Sequence, residues 1–143
     1  FFCNIQGDRV AVAHAGWRGL LDGVLESTLK VFSATDKVIA WLGPAIGPSA
    51  FEVGAEVRQQ FLDVHAQLDE NLVSLTDTAF KPVDNNGEKF LADIYQLARL
   101  RLEFAGVVQV SECERCTYTE NEHFYSYRRE GQTGRMASLI WLD

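Results

Sequence analysis

The segment from Ala13 to Gly19 brings together side chains that can do chemistry. His14 follows a short apolar run, and Trp17 and Arg18 follow it three and four residues later. Histidine binds zinc and transfers protons near neutral pH, so His14 is a candidate metal ligand or general base. A buried histidine that is hydrogen-bonded to a backbone carbonyl is the structural alternative. Arg18 is expected just before a helix, where backbone N–H groups attract anions.

A metal site needs more ligands than this segment offers. Zinc takes three or four His, Cys or carboxylate ligands, and neither His65 nor His123 has a spacing that brings it to His14. Cys113 and Cys116 form a C-x-x-C motif, which is typical of half a zinc site or of a redox pair. No second pair exists, and β-prone residues follow the motif, so coincidence is the favoured interpretation.

Two further charged segments each have two interpretations. Arg128 and Arg129 follow Tyr127, and such a group can clamp an anion or a planar ring. The same residues can also form the charged rim of a solvated turn between two strands. Residues 49–52 match a capping box, which makes Glu52 a helix cap rather than a catalytic acid.

Composition restricts the class of protein. The chain has 143 residues, enough for one domain with a core, and its 47% hydrophobic and 23% charged residues are typical of globular proteins. The net charge of −7 argues against a general nucleic-acid binder, and no apolar run is long enough for a membrane span. Three cysteines favour a reducing, cytoplasmic location. A chain that begins at Phe1 rather than Met indicates a fragment.

Apolar periodicity predicts the elements that position these residues. Strands are expected over residues 1–4, 9–14, 38–42, 107–110, 124–128 and 136–142. Helices are expected over residues 20–33, 53–64 and 90–102. Gly106 is expected to cap the last helix, and residues 69–87 are expected to form an irregular polar loop that ends in a turn over residues 84–87. Hairpins mixed with strand–helix units predict an α+β domain.

Four segments, in this order, resemble the YfiH family, which is also called the laccase-domain or multicopper polyphenol oxidoreductase-like family. They are AHAGWRG at 13–19, LGPAIGP at 42–48, FEVG at 51–54, and YSYRR at 125–129 with TGRM at 133–136. Each motif alone is weak, but four in order are specific. The resemblance runs from Phe1 to the end of the chain.

The resemblance implies a four-layer αββα sandwich with mixed β-sheets, present over residues 1–143 as a single domain that lacks its N-terminal portion. It also implies one zinc ion. In the family, zinc is held by a histidine of a Gln-x-His-Gly segment, a cysteine of an Asp-Cys-Leu-Pro segment, and the histidine of the His-Ala-Gly-Trp-Arg segment. Only the last is present, as His14, and the other two are expected upstream of Phe1. Cys3 is therefore not a ligand.

The family's activities are described as purine nucleoside phosphorolysis, on adenosine and inosine among others, with adenosine deamination beside it. The leading hypothesis is a zinc-dependent purine nucleoside phosphorylase that uses phosphate as co-substrate. The candidate catalytic residues are His14 and Arg18. The candidate substrate-binding residues are Trp17, Tyr127, Arg128 and Arg129. A true multicopper laccase is not expected, because three histidines are too few for its copper ligands.

Two alternatives stay open. One is a cysteine hydrolase or amidase that edits peptidoglycan precursors, with an upstream cysteine as the nucleophile and His14 as its base. The other is a non-enzymatic domain with a structural zinc ion. Neither nucleic acid nor a membrane is expected as a partner, and the oligomeric state stays open.

Overall fold

A four-stranded mixed sheet and a three-stranded antiparallel sheet are combined with helices in the computed structural model, which describes residues 1–83 and 86–143. The predicted α+β class is confirmed. The strands are β1 Phe2–Asn4, β2 Val10–Ala11, β3 Val38–Leu42, β4 Glu52–Gly54, β5 Phe80–Pro82, β6 Lys89–Ala92 and β7 Gln109–Glu112. The helices are α1 Trp17–Leu21, α2 Val24–Leu29, α3 Ala55–Leu68, α4 Glu70–Asp77, α5 Ile94–Phe104 and α6 Tyr127–Glu130.

The first sheet has the strand order β2-β1-β3-β7. β1 is antiparallel to both of its neighbours, whereas β3 and β7 are parallel. The β1–β2 turn is closed by the buried Asn4, whose side-chain oxygen accepts hydrogen bonds from the N–H groups of Asp8 and Arg9. The predicted hairpin is therefore confirmed, although β2 ends at Ala11 rather than at His14.

The second sheet has the strand order β4-β6-β5 and is antiparallel throughout. Its core-facing residues join a row of aromatic rings in which Phe80 lies 6.0 Å from Phe61 of α3 and 6.5 Å from Phe90 of β6, measured between ring centroids. All three rings are buried. Phe61, with Leu20, Leu97 and Leu102, is among the largest fully buried side chains, so the core lies where α1, α3 and α5 meet.

The helix predicted over residues 20–33 is instead two short helices. Gly23 separates α1 from α2 and has φ of +85°, a left-handed conformation that glycine adopts without strain. The first helix also begins at Trp17, three residues before the predicted start. The apolar spacing that predicted one helix is retained across the break, because Leu20 and Leu25 are both buried in the core.

The capping box at residues 49–52 and the predicted helix starts at Val53 and Phe90 are wrong, because both segments are strands. Residues 52–54 and 89–92 form antiparallel strands, so Val53 and Phe90 face the core from a sheet and not from a helix. Glu52 does not cap a helix, because it lies on β4 and forms an ion pair with Lys89 on β6. At the end of α5, Gly106 has φ of +87°, as the predicted cap requires.

Residues 69–87 were predicted to be irregular but contain α4 and β5. Asp69 begins α4 by accepting a hydrogen bond from the N–H of Asn71, and Leu72 and Thr76 bury one face of the helix. The apolar positions are too few for periodicity to reveal this helix. Part of the turn predicted over residues 84–87 falls on Asp84 and Asn85, which lie outside the described residues.

The two strands predicted near the end of the chain are absent from the described structure. Residues 127–130 form α6, and residues 132–143 have no regular secondary structure. A strand needs a neighbouring strand for its backbone hydrogen bonds, and no described residue pairs with this segment as a strand. Leu139 and Trp141 accordingly remain 75% and 72% exposed. Among the described residues, no helix has the length and apolar character needed to cross a bilayer.

A buried polar cluster joins four helices. His65 on α3 and Thr76 on α4 are fully buried, with His65 Nδ1 2.5 Å from Thr76 Oγ1. Arg101 on α5 is also buried, and its Nε donates to Glu26 on α2 at 2.6 Å. Burial and the charge of Arg101 lower the pKa of His65 to about 4, and Glu26 offsets this only in part. His65 is therefore neutral at pH 7.

Mild acid should destabilise the protein through His65. The ordinary pKa of 6.5 applies to the unfolded chain, whereas the folded value is about 4. Between these values the unfolded state binds a proton that the folded state does not. The free energy of unfolding should therefore fall as the pH falls, by at most about 1.4 kcal/mol per pH unit from this residue. Urea unfolding between pH 7 and pH 5 measures the slope.

Two variants separate His65 from other titrating groups. His65→Asn keeps an amide near the position of Nδ1 but cannot titrate, so its stability should depend less on pH over this range. His123 is exposed, and His123→Asn should keep the slope of the unmodified chain. Equal slopes in all three proteins would show that His65 does not control acid stability.

Candidate functional site

The His14 segment leaves β2 and enters α1 through a loop over residues 12–16. His14 is exposed on this loop, and no described residue forms a hydrogen bond with its imidazole. No described residue therefore holds the imidazole in the way that the alternative of a buried histidine on a carbonyl requires. Its Nε2 lies over Gly16, 3.7 Å from where a Cβ of that residue would stand.

Three predicted site residues come together in a surface depression of about 270 Å³. His14, Trp17 and Arg18 line it, with Gly16 and Gly19 as its backbone. The Arg18 guanidinium lies 4.3 Å from the Trp17 ring centroid, which is the geometry of a cation–π contact. Trp17 is half-buried and packs on the core, whereas Arg18 is exposed. The arrangement offers one cation and one imidazole to a solvent-borne anion.

The described residues do not by themselves fit a zinc site. No group of three or more His, Cys, Asp or Glu side chains lies close enough together in residues 1–83 and 86–143 to hold a metal ion. Zinc needs at least three protein ligands, and of the predicted ligands only His14 lies in this chain. A metal ion bound to this exposed imidazole would take its other ligands from residues outside those described.

Arg129 is held by the chain's own carbonyl groups. Its Nη1 donates to the carbonyl oxygens of Thr117 at 2.9 Å and Tyr118 at 2.6 Å, and its Nη2 donates to that of Phe124 at 2.8 Å. Its guanidinium also pairs with Glu130. These bonds fasten α6 to residues 117–124, so the donors of Arg129 are already engaged. The predicted role of Arg129 in substrate binding stays a prediction.

Arg128 and Tyr127 differ from Arg129 in exposure. The Arg128 Nη1 donates to the carbonyl of Glu52 at 2.8 Å, and its guanidinium lies 5.5 Å from the Phe51 ring centroid. Tyr127 is 73% exposed at the start of α6. Among the described residues that line the His14 depression, none belongs to α6. The structure therefore does not bring the two predicted groups into one pocket.

Tyr95 is a residue that the sequence analysis did not single out. Its hydroxyl accepts a hydrogen bond from the N–H of Ala45 at 2.8 Å and donates to the carbonyl of Arg115 at 2.7 Å. Burial, above all, raises its pKa well above the ordinary value, so the hydroxyl stays neutral. It ties the loop after β3 to the extended segment after β7. The only signal in the sequence is a tyrosine among the apolar positions of a helix.

The family described as multi-copper polyphenol oxidoreductase laccase matches residues 1–143. The chain belongs to this family. A family member from Escherichia coli, named purine nucleoside phosphorylase YfiH, is 55% identical over 142 residues, which are 99% of this chain and 54% of that protein.

Two further relatives extend the comparison. A protein from an unknown prokaryotic organism, named adenosine deaminase RL5, is 32% identical over 141 residues, which cover 95% of this chain and 51% of the relative. A crystal structure of a Neisseria meningitidis protein is 46% identical, with a TM-score of 0.86 over 99% of this chain and 55% of that one. The chain spans about half the length of the relatives it matches.

Arg128 and Arg129 have different surroundings, so replacing them should lower the free energy of unfolding by different amounts. Arg129→Ala should lower the free energy of unfolding by about 2 kcal/mol, because it leaves partly buried carbonyls without a charged donor. Arg128→Ala, which removes one exposed bond to a carbonyl, should cost clearly less. Urea unfolding of both variants measures the difference, and equal costs would contradict a structural role for Arg129.

Proposed function

We propose that this chain supplies part of the active site of a purine nucleoside phosphorylase. The observation that carries the proposal is the exposed depression in which His14, Trp17 and Arg18 meet. The naming of the Escherichia coli relative, 55% identical over nearly the whole chain, supports the reaction class. A cytoplasmic location stays a prediction.

In phosphorolysis a phosphate oxygen attacks C1′ of the ribose while the bond from C1′ to the purine nitrogen breaks. The products are ribose 1-phosphate and the free base, which takes up a proton. The reaction therefore needs a cation that holds phosphate and balances its charge. Arg18 is suited to this role because its guanidinium is exposed and already oriented by the Trp17 ring. His14 would contribute as a ligand of the zinc ion proposed below, because metal coordination uses the ring lone pair that a general base needs.

The purine needs a flat apolar surface. Trp17 offers its ring only in part, since the Arg18 guanidinium stacks on it and the core packs against it. We therefore propose that Trp17 chiefly orients Arg18. Tyr127, with a 73% exposed ring, and Arg128 remain candidates for contacting the base.

We also propose that His14 is one ligand of a zinc ion whose other ligands are supplied by residues outside this chain. The exposure of the imidazole supports this, as does the fact that the relatives are about twice as long. A bound zinc ion would supply Lewis-acid activation of an oxygen ligand.

Adenosine deamination is a second candidate, because one relative carries that name. Water would replace the exocyclic amino group of adenosine, and ammonia and inosine would be released. The two activities can be told apart by their products. Phosphorolysis of adenosine gives adenine and requires phosphate, whereas deamination gives inosine without it.

Arg18 should control the use of phosphate in the whole protein that contains this chain. With inosine as substrate, Arg18→Gln should raise the KM for phosphate at least about tenfold, which corresponds to the loss of one charged hydrogen bond. Arg135→Gln, at another exposed arginine, is the matched control and should leave that KM unchanged. Release of hypoxanthine is measured, and its absence from the unmodified, zinc-supplemented protein would disprove phosphorolysis.

The zinc content of the protein should depend on His14, and it can be measured without an activity assay. The purified whole protein is expected to contain zinc, and His14→Ala should reduce it severalfold, because a three-ligand site loses one ligand. His123→Ala should retain the full content. Elemental analysis by mass spectrometry reads out both variants, and unchanged zinc in His14→Ala would remove His14 from the metal site.

A further inference from the structure

The connection between β5 and β6 carries an asparagine–glycine pair, Asn86–Gly87, which occurs once in the sequence. Backbone hydrogen bonds hold the chain on both sides of this pair. Before it, the N–H of Val83 donates to the carbonyl of Lys89 at 3.0 Å. After it, the carbonyl of Glu88 accepts from the N–H of Ala55, the first residue of α3, at 2.9 Å. The pair itself is exposed, so solvent reaches it on the folded protein.

The conformation of the backbone explains why glycine follows Asn86. Gly87 has φ of +70°, a left-handed conformation that glycine adopts without strain and that other residues adopt only at a cost. Beyond its chain neighbours, a Cβ built on Gly87 would meet no described atom within 4 Å, so backbone conformation and not a close contact favours glycine. The choice has a chemical consequence, because no Cβ at residue 87 hinders the approach of its backbone nitrogen to the Asn86 side chain.

The other described asparagines, Asn4, Asn71 and Asn121, lack this combination of features. Asn4 is buried, and its side-chain amide donates to Asp8 at 2.6 Å. Asn71 lies in α4, and its side-chain amide donates to Asp69 at 2.8 Å. Asn121 is exposed in a turn, as Asn86 is, but glutamate follows it. All three are followed by a residue with a side chain, which hinders the backbone nitrogen that would attack.

We propose that Asn86 is a site of spontaneous deamidation. The backbone nitrogen of Gly87, after losing its proton to water, attacks Cγ of Asn86, and a succinimide ring forms as the bond from Cγ to the side-chain nitrogen breaks. That nitrogen takes up a proton and leaves as ammonia. Water then adds to one of the two ring carbonyls and opens the ring, which gives aspartate or isoaspartate. The net change consumes one water and releases one ammonia, with no oxidation or reduction.

Both products change the segment around Asn86 without removing the hydrogen bonds that hold it. Each conversion adds one negative charge to a chain whose net charge is −7. Isoaspartate also lengthens the main chain by one carbon atom, whereas the bonds made by Val83 and Glu88 lie outside the pair. We expect the fold to persist, so the modified form accumulates as the protein ages and separates from the parent by ion exchange.

Tryptic peptide mapping of the whole protein that contains this chain tests the proposal. Trypsin places Asn86 on residues 59–89 and Asn121 on residues 116–128, because Lys81 precedes proline and is not cleaved. The folded protein is incubated at pH 7 and at pH 8 and then digested, and fragment masses locate each new acid. A synthetic peptide of residues 82–90 is incubated beside it.

Conversion at Asn86 should be at least about tenfold faster than conversion at Asn121. Its rate should rise about tenfold from pH 7 to pH 8, because the deprotonated fraction of a weak acid rises by that factor. Equal rates at the two asparagines would overturn the proposal. So would an Asn86 that stays unmodified when conversion of the synthetic peptide is complete.

Two glycine variants test the role of Gly87. Gly87→Ala places a Cβ beside the attacking nitrogen and should slow the conversion at least about tenfold. Gly7→Ala is the matched control, because Gly7 also has a left-handed φ, of +73°, with open space around it. This control carries the same kind of backbone strain and should keep the parent rate. Equal slowing in both variants would show that strain, and not access to the nitrogen, controls the reaction.

Asn86→Gln is a second test that adds no backbone strain. Its longer side chain would have to close a less favourable six-membered ring, so the acidic species on ion exchange should form at least about tenfold more slowly than in the parent. If that species forms at the parent rate, another residue is its source and the proposal is wrong. Circular dichroism matched to the parent confirms that folded proteins are compared.

Discussion

The ion pair between Arg101 and Glu26 fixes the candidate site to the rest of the molecule. α1 and α2 have five and six residues, and helices this short are not stable alone. They are held by apolar burial of Leu20 and by Arg101, which binds Glu26 across 75 residues of sequence at 2.6 Å. The left-handed Gly23 turns α2 toward this partner. Loss of Glu26 would leave the buried Arg101 guanidinium without its carboxylate, so the orientation of the His14 loop depends on the pair.

The sequence predicted well those secondary-structure elements that depend on a pattern of neighbouring residues. β3 occupies the predicted residues 38–42, because an apolar run between polar turns suits a buried strand. Gly106 ends α5 as predicted, since a left-handed residue after a helix favours glycine. The residues 52–54 and 89–92 were misassigned because they pair with each other across more than thirty residues of sequence. Periodicity over a few residues does not distinguish a short strand from a helix turn.

In the candidate site, contacts between neighbours in the sequence were predictable, and contacts between distant residues were not. Neighbours along the chain, such as His14 and Arg18, were expected together and are together. Arg128 and Arg129 are adjacent and chemically identical, yet one donates to three carbonyls of its own chain and the other to one. That difference depends on where residues 117–124 lie, which no local pattern encodes. Tyr95 was overlooked for the same reason, because its partners at Ala45 and Arg115 are distant in sequence.

Strand direction explains why distant motifs share one face of the protein. β1 is antiparallel to β2 and β3, and β3 is parallel to β7, so β2, β3 and β7 all point the same way. The loops that follow them carry His14, the glycine–proline segment 43–48, and the turn with Cys116. Because neighbouring strands lie about 4.8 Å apart, the ends of β2 and β7 are about 14 Å apart across the sheet. In open α/β sheets, ligands bind outside the carboxyl ends of the strands. In this sheet the carboxyl ends of β2 and β7 lie at the same edge. The direction of the strands therefore brings His14 and Cys116, about one hundred residues apart in sequence, to one edge of the sheet.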